Sequence, residues 1–197
     1  MKLTMVRRIG LAFALVSAGS LFATPALGAV PSEPLRCLTD SVMGSCGAIH
    51  KPDAQVRRAG GPRRGQNIYN SDAAGQSVSS AHHYRVGAVR WYYLYVQNDG
   101  NEDDSFQVDV ASTNSAFAIG HYSISFFRVS GVDITDAVLA GTFTTGSLAP
   151  GAETAIRLRI EVTAESNYGS DLSELVTFIS VTETSQSDAV AVNISRL

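Results

Sequence analysis

The chain is poor in cysteine, tryptophan and basic residues, and each scarcity narrows the classes of protein to which it can belong. Its 15 basic residues are outnumbered by 18 acidic ones, so nucleic-acid and anionic-membrane partners, which need clustered positive charge, are not expected. Two cysteines without a neighbouring histidine pair are too few for a zinc site. The sequence also lacks a G-x-S-x-G elbow, a phosphate-cradling glycine loop and an HExxH motif, the local signatures of several enzyme classes.

One long apolar run is present, near the N-terminus. Basic residues precede an apolar stretch from Ile9 to Ala23, and small residues follow it. This order is typical of a secretory signal peptide, which we predict over residues 1–29, with cleavage after Gly28 or Ala29. A transmembrane anchor is the alternative, but two serines and a glycine interrupt the run. After cleavage 12 basic residues remain against 18 acidic ones, a net charge of −6, and we expect no membrane insertion.

Both cysteines, Cys37 and Cys46, follow this predicted leader. An exported chain meets an oxidising environment in which thiols pair, so a Cys37–Cys46 disulfide is predicted. Closing so short a loop contributes about 2 to 3 kcal/mol by loop-closure entropy. We therefore predict a disulfide-clipped segment over residues 30–51 and a separate β-sandwich over residues 52–197, with metal ligation and a catalytic thiol as the alternatives for the cysteines.

The remainder of the chain alternates apolar and polar residues in short runs that end at Gly, Asn, Asp or Pro. The clearest run is Ile156–Val162, in which aliphatic residues alternate with two arginines and a glutamate. This pattern is typical of a strand with one face in the core and the other exposed to solvent. Because no helical period appears, the prediction is an all-β, antiparallel, immunoglobulin-like β-sandwich of about seven strands. The candidate strands are Ala54–Arg58, Gln76–Ser80, Val89–Gln97, Phe106–Val110, Phe117–Ile119, Tyr122–Val129, Val138–Thr144, Ile156–Val162, Leu175–Val181 and Ala189–Ile194.

Two short motifs carry a family resemblance. Gln97-Asn98-Asp99-Gly100 follows the first strong strand, and Leu148-Ala149-Pro150-Gly151 precedes the strand at Ile156. With the two motifs in this order and at this spacing, the chain resembles immunoglobulin-like modules of large exported bacterial proteins. The resemblance covers about residues 52–195. The resemblance implies a tight hairpin at the first motif, with the returning strand beginning at Phe106. It further implies a spacer, an adhesive stalk or an appendage to an enzyme, with no shared catalytic residue.

The most distinctive candidate site lies on the aromatic strand. Alternation places Tyr92, Leu94 and Val96 on one side of the strand and Trp91, Tyr93 and Tyr95 on the other. If the first set enters the core, the second forms an outer platform on which sugar rings or the apolar patch of a partner can stack. The alternatives are that the N-terminal segment covers this face, or that Trp91 is the core tryptophan of the sandwich.

Two polar clusters are weaker candidates. Asp99, Asn101 and Asp103, with their acidic neighbours, offer the oxygen ligands that calcium prefers, although the spacing departs from that of an EF-hand and a solvated turn is the alternative. Four arginines between Arg57 and Arg64 stand among glycines and a proline, where a solvated loop is favoured over an anion-binding patch. Apart from that calcium ion, no cofactor is predicted.

Together these features predict an exported, non-enzymatic immunoglobulin-like module with a structural or recognition role at the cell exterior. Its expected partner is an extracellular protein or a polysaccharide. A carbohydrate-binding module that uses Trp91, Tyr93 and Tyr95 is the first alternative, and a small hydrolase on a sandwich scaffold is the second.

Overall fold

The computed structural model describes residues 47–81, 85–112, 121–164 and 171–195. These ranges hold eight strands and one short helix, in the order β1 (Pro52–Arg58), β2 (Ser77–Ala81), β3 (Val89–Asn98), β4 (Phe106–Ser112), β5 (Tyr122–Arg128), α1 (Thr135–Leu139), β6 (Glu153–Val162), β7 (Leu172–Ser180) and β8 (Ser187–Ser195). The predicted leader, both cysteines and the candidate strand Phe117–Ile119 lie outside the described residues, so the leader, the disulfide and the domain bounds stay predictions.

The strands form two four-stranded sheets. The first has the order β1-β3-β6-β5 and the second the order β2-β8-β7-β4. Every neighbouring pair is antiparallel except β2 and β8, which run parallel. The predicted all-β, antiparallel sandwich is confirmed, with eight strands in the described ranges where about seven were expected.

The core lies between the inner faces of the two sheets. Tyr92, Leu94 and Val96 are fully buried there, and Ile156–Val162 places its four aliphatic side chains in the same layer at 5 % exposure or less. The second sheet contributes Phe106, Val108, Val176, Phe178, Val190 and Val192. The alternation read from the sequence thus assigns the inward side of both β3 and β6 correctly, because successive strand residues point to opposite faces.

The Gln97-Asn98-Asp99-Gly100 motif is not a hairpin, contrary to the prediction. β3 belongs to the first sheet and β4 to the second, so the motif carries the chain across the sandwich. Gly100 does not have a positive φ; glycine is required there because a β-carbon would overlap the carbonyl oxygen of Ile49. Buried Asn98 donates its amide to the carbonyls of Glu102 and Leu148, each at 2.8 Å, and so ties the two motifs together.

The candidate strand Val138–Thr144 was also wrong, because α1 includes its first two residues and a turn follows. Ile134 and Val138, four residues apart, are both buried, which is helical spacing. The carboxylate of Asp133 accepts a hydrogen bond from the Thr135 amide at the start of the helix. Gly141, at φ +64°, follows its end.

A buried acidic pair fixes the segment between β1 and β2. Asp188 is fully buried and accepts hydrogen bonds from the amides of Ala54, Asn70 and Ala189 at 2.6 to 2.9 Å. Asp53, 1 % exposed, accepts from the amide of Asn67 at 2.9 Å. Desolvation by burial raises the pKa of each carboxyl group to about 6. The two carboxylates therefore hold the segment by hydrogen bonds, but keeping them ionised near neutral pH costs free energy because they are removed from water.

Candidate functional site

The aromatic row of β3 lies on the outer side of the first sheet, as the alternation predicts. Trp91 and Tyr93 are half-buried, and Tyr95 is 9 % exposed. Trp91 is therefore not the core tryptophan of the sandwich. β3 is a central strand, flanked by β1 and β6, so the row runs along the middle of the sheet.

Strand register brings two arginines beside these rings. Arg57 on β1 and Arg157 on β6 both pair with Tyr93, one from each side. The guanidinium carbon of Arg57 lies 4.9 Å from the centre of the Tyr93 ring and 5.7 Å from that of Tyr95. That of Arg157 lies 5.1 Å from the Trp91 ring. These distances are those of cation–π contacts, which hold guanidinium groups on ring faces.

The β5 end of the row is extended by a fourth aromatic residue. Phe127 pairs with Arg157 in the register of β5 and β6. Its ring centre lies 5.5 Å from that of Trp91, with a tilt of 56° between the rings. Tyr93 and Tyr95 stack at 6.4 Å. We call this surface the aromatic face and define it by Trp91, Tyr93, Tyr95, Phe127, Arg57 and Arg157.

A third arginine covers the Tyr95 end of the aromatic face. The guanidinium of Arg63, from the loop after β1, lies 3.7 Å from the Tyr95 ring centre. It also forms a two-pronged ion pair with Glu153, at 2.8 and 3.1 Å, and this hydrogen bonding raises the pKa of Arg63. Arg63 thus lies in an exposed loop, as predicted, with 34 % of its side chain exposed. The loop interpretation was wrong for Arg57 and Arg58, which lie on β1.

The arginines around the aromatic face differ in their ion pairing. Four arginines and four carboxylates lie on the outer side of the sheet or in the adjoining loops: Arg57, Arg63, Arg157, Arg159, Asp53, Asp133, Glu153 and Glu161. Arg63 pairs with Glu153, and Arg159 pairs with Glu161 at 2.7 Å. Among the described residues Arg57 and Arg157 have no carboxylate partner. The face thus presents two guanidinium groups that no described ion pair neutralises, on a chain whose net charge is −3.

The side-chain hydrogen bonding of Arg57 and Arg157 is also incomplete. The Nε atoms of Arg57 and Arg157 are buried, and neither has a hydrogen-bond partner among the described residues. Sequence analysis found the three β3 aromatics but did not place these arginines beside them, because the register that brings them to Tyr93 is a property of the sheet. The signals available were the arginine cluster that begins at Arg57 and the charged positions of the Ile156–Val162 run.

Two of the three predicted calcium ligands are engaged in other contacts. The side-chain oxygen of Asn101 accepts a hydrogen bond from the amide of Ile49 at 2.7 Å, and Asp99 accepts one from the Tyr69 hydroxyl at 2.7 Å. Asp103 is exposed. In the described ranges, no three histidine, cysteine, aspartate or glutamate residues are grouped as metal ligands. Calcium binding by Asp99, Asn101 and Asp103 stays a prediction.

A histidine, an aspartate and a serine meet elsewhere. The hydroxyl of Ser180 donates to Asp104 at 2.6 Å, and Nδ1 of His50 lies 3.3 Å from the same oxygen. In a catalytic triad the imidazole stands between the serine and the carboxylate, whereas here the serine contacts the carboxylate and is fully buried. The cluster joins the segment before β1 to β7 and supplies no activated nucleophile.

The described helix, α1, has five residues and is too short to span a bilayer. No family model and no curated protein matches the chain. Solved structures that resemble it include the secreted serine protease VesC from Vibrio cholerae, with 12 % identity and a TM-score of 0.39 over 62 % of this chain and 22 % of that one. A FixG-related protein from Vibrio parahaemolyticus has 10 % identity and a TM-score of 0.40 over 75 % and 98 % of the two chains.

A third similar structure is BcpA, the major pilin subunit of Bacillus cereus, with 9 % identity and a TM-score of 0.38 over 75 % of this chain and 40 % of that one. At these identities and TM-scores the likenesses carry no argument about function. The β-sandwich is established by its strand pairing, and membership of the module family with the two turn motifs stays a prediction.

Proposed function

We propose that the protein is an exported, non-enzymatic recognition module that binds an extracellular polysaccharide through the aromatic face. The observation that carries the proposal is the position of Trp91 and Tyr93, half-buried on the outer side of a central strand whose inner side is fully buried. An outer sheet face needs only polar side chains to remain soluble. Aromatic rings in a row provide broad, rigid surface on which the apolar faces of sugar rings pack.

Two features of the sequence support the remaining parts of the proposal. The basic, apolar and small-residue order of residues 1–29 supports export. The resemblance to immunoglobulin-like modules of exported bacterial proteins supports a binding or structural role. Among the described residues, the Ser180, Asp104 and His50 cluster lacks the geometry of a nucleophile and its base.

A purely structural role is the second candidate. Contacts of Arg57, Arg63 and Arg157 with the rings favour it, since each cation–π contact stabilises an exposed sheet by about 0.5 to 1 kcal/mol without any ligand. The two candidates differ in one respect: only the recognition role predicts that a polysaccharide contacts the Trp91 and Tyr93 rings.

Native electrophoresis through gels containing a neutral or an acidic polysaccharide tests the proposal. We expect at least one polysaccharide to retard the mature protein, and Trp91→Ala or Tyr93→Ala to weaken binding by about tenfold or more, equivalent to about 1.4 kcal/mol of lost stacking. Tyr69→Ala removes a 38 % exposed ring outside the aromatic face and is the matched control, expected to bind like the wild type. Thermal unfolding checks that each variant is folded.

If no polysaccharide retards the wild type, and Trp91→Ala only lowers its thermal stability, the recognition role is contradicted and the structural one is retained. Equal retardation of the wild type and of both aromatic variants would instead place the binding surface elsewhere on the molecule.

A further inference from the structure

We infer that the ligand of the aromatic face is an anionic polysaccharide, one whose sugar rings carry carboxylate or sulfate groups. This inference rests on the proposed function and narrows it. Its basis is the pair Arg57 and Arg157, which flank Tyr93 and have no carboxylate partner among the described residues.

The positions of the two cations match such a ligand. Arg57 and Arg157 stand on the strands either side of β3, opposite the same tyrosine. Since neighbouring strands are about 4.8 Å apart, the two α-carbons lie about 10 Å apart across the sheet. A sugar chain that packs along the row therefore meets the guanidinium of Arg57 at Tyr93 and that of Arg157 at Trp91. Guanidinium groups bind the oxygens of carboxylate and sulfate in a two-pronged manner.

The charge of the surroundings makes the face selective. Arg63 and Arg159 are paired with Glu153 and Glu161, so the unpaired cations in contact with the aromatic rings are Arg57 and Arg157. The chain is acidic overall, which weakens non-specific attraction of an anion to the rest of the molecule. A neutral sugar gains only the stacking contribution.

An acidic peptide is less well matched to this surface. Extended peptides bind sheets by pairing with a free strand edge, and both edges of the first sheet are bonded near the face. On the β1 edge, Val56 exchanges two backbone hydrogen bonds with Arg64, at 2.9 and 2.8 Å. On the β5 edge, the Arg128 amide donates to the Val132 carbonyl at 2.8 Å. The available surface is a flat array of rings and cations, which a sugar chain can cover lengthwise.

Fluorescence titration with two matched pairs of polymers tests the inference. Trp91 is the only tryptophan of the chain, so the emission reports on the aromatic face alone. The pairs are dextran sulfate with dextran, and polygalacturonate with its methyl ester; within each pair the backbone is shared and the anionic group is not. We expect at least one anionic member to bind about tenfold or more tightly than its neutral counterpart, and to weaken as salt rises from about 50 to 300 mM.

Variants locate the effect. Arg57→Gln with Arg157→Gln is expected to reduce affinity for the anionic polymer by about tenfold or more, down to that for its neutral partner. Arg58→Gln with Arg64→Gln removes the same charge from two exposed arginines that do not contact the rings, and is expected to change affinity by no more than about threefold. Arg57→Lys with Arg157→Lys keeps the charge without the planar group, and is expected to retain intermediate affinity, which separates lost charge from lost folding.

The outcomes separate the two proposals. Equal binding of the charged and neutral members of each pair, still dependent on Trp91 in the gel assay, overturns the anionic preference and leaves the recognition role intact. Binding of none of the four polymers overturns both. Equally tight binding of polyglutamate, which has the charge but no sugar rings, would assign the face to acidic peptides and overturn the inference. Loss of affinity in the Arg58 and Arg64 control would show a general charge effect and overturn it as well.

Discussion

Lowering the pH from 7.5 to 5 is expected to stabilise the fold, because two carboxylates are ionised near neutral pH although their burial disfavours the charged form. The pKa of Asp53 and that of Asp188 are each raised from 3.8 to about 6, chiefly by burial; for Asp53, repulsion from Asp99 and Asp188 is part of that rise. Both groups bind protons more tightly in the folded chain than in the unfolded one. The stabilisation is therefore complete below about pH 4 and is lost as the pH rises through about 6.

The size of the effect follows from these values. A shift of about 2 units is equivalent to a limit of about 3 kcal/mol per carboxyl group, at about 1.4 kcal/mol per unit. At pH 5 a group of pKa 6 is mostly protonated while the unfolded reference remains mostly ionised, so each carboxyl group recovers about 1 kcal/mol. Because the two charges also repel each other, protonation of one relieves part of the strain on the other, and the pair together recovers about 1 to 3 kcal/mol.

Urea unfolding of the wild type and of Asp53→Asn at several pH values measures the effect. An asparagine at position 53 keeps an acceptor for the Asn67 amide and carries no charge, although it loses the second oxygen, which accepts from Gln55. We expect the variant to lose about half of the pH dependence, and to be more stable than the wild type at pH 7.5 but not at pH 4. Histidine titration is common to both proteins and cancels in the difference. If the free energy of unfolding changes in parallel for both proteins, or falls more steeply in the wild type as the pH is lowered, the reasoning about this acidic pair is refuted.

Two further substitutions test the packing. Gly100→Ala is expected to destabilise the fold by about 2 kcal/mol or more, because its methyl group would overlap the Ile49 carbonyl. Gly146→Ala is the control, since a β-carbon at position 146 meets no atom within 4 Å. It is expected to change the free energy of unfolding by less than about 1 kcal/mol. Leu158→Ala, at a fully buried position, is expected to lower the free energy of unfolding by about 2 to 5 kcal/mol. Val129→Ala, at 58 % exposure, is expected to stay within about 0.5 kcal/mol of the wild type, and equal effects of these two changes in denaturant unfolding would contradict the assigned core.

Local alternation was sufficient to assign the inward and outward sides of the strongest strands. On β3 and β6 a two-residue period placed Tyr92 and Leu158 in the core and Trp91 and Arg157 outside, as the structure confirms. The same reasoning failed at Val138, where a four-residue spacing to Ile134 forms the buried side of α1. A short apolar run fits both periods, and only packing against the rest of the chain distinguishes them.

The path of the chain between the sheets was less predictable. Asn98 and Gly100 mark a turn in the sequence, but a turn motif does not say whether the next strand pairs with the previous one. Here β4 pairs with β7 instead, and Asn98 bonds the Leu148 carbonyl from the other motif. The buried pair Asp53 and Asp188 was missed for a related reason, since aspartates at strand ends usually lie in solvent.

The sequence by itself determined the fold class, the strongest strands and the outward side of the three aromatics of β3, because all of these depend on the period-two pattern of neighbouring residues. Only the tertiary structure decided what stands beside those aromatics. Arg57, Tyr93 and Arg157 are far apart along the chain and become neighbours through the register of three strands. Register is set by the packing of whole sheet faces, and a slip of one residue would turn each arginine into the core.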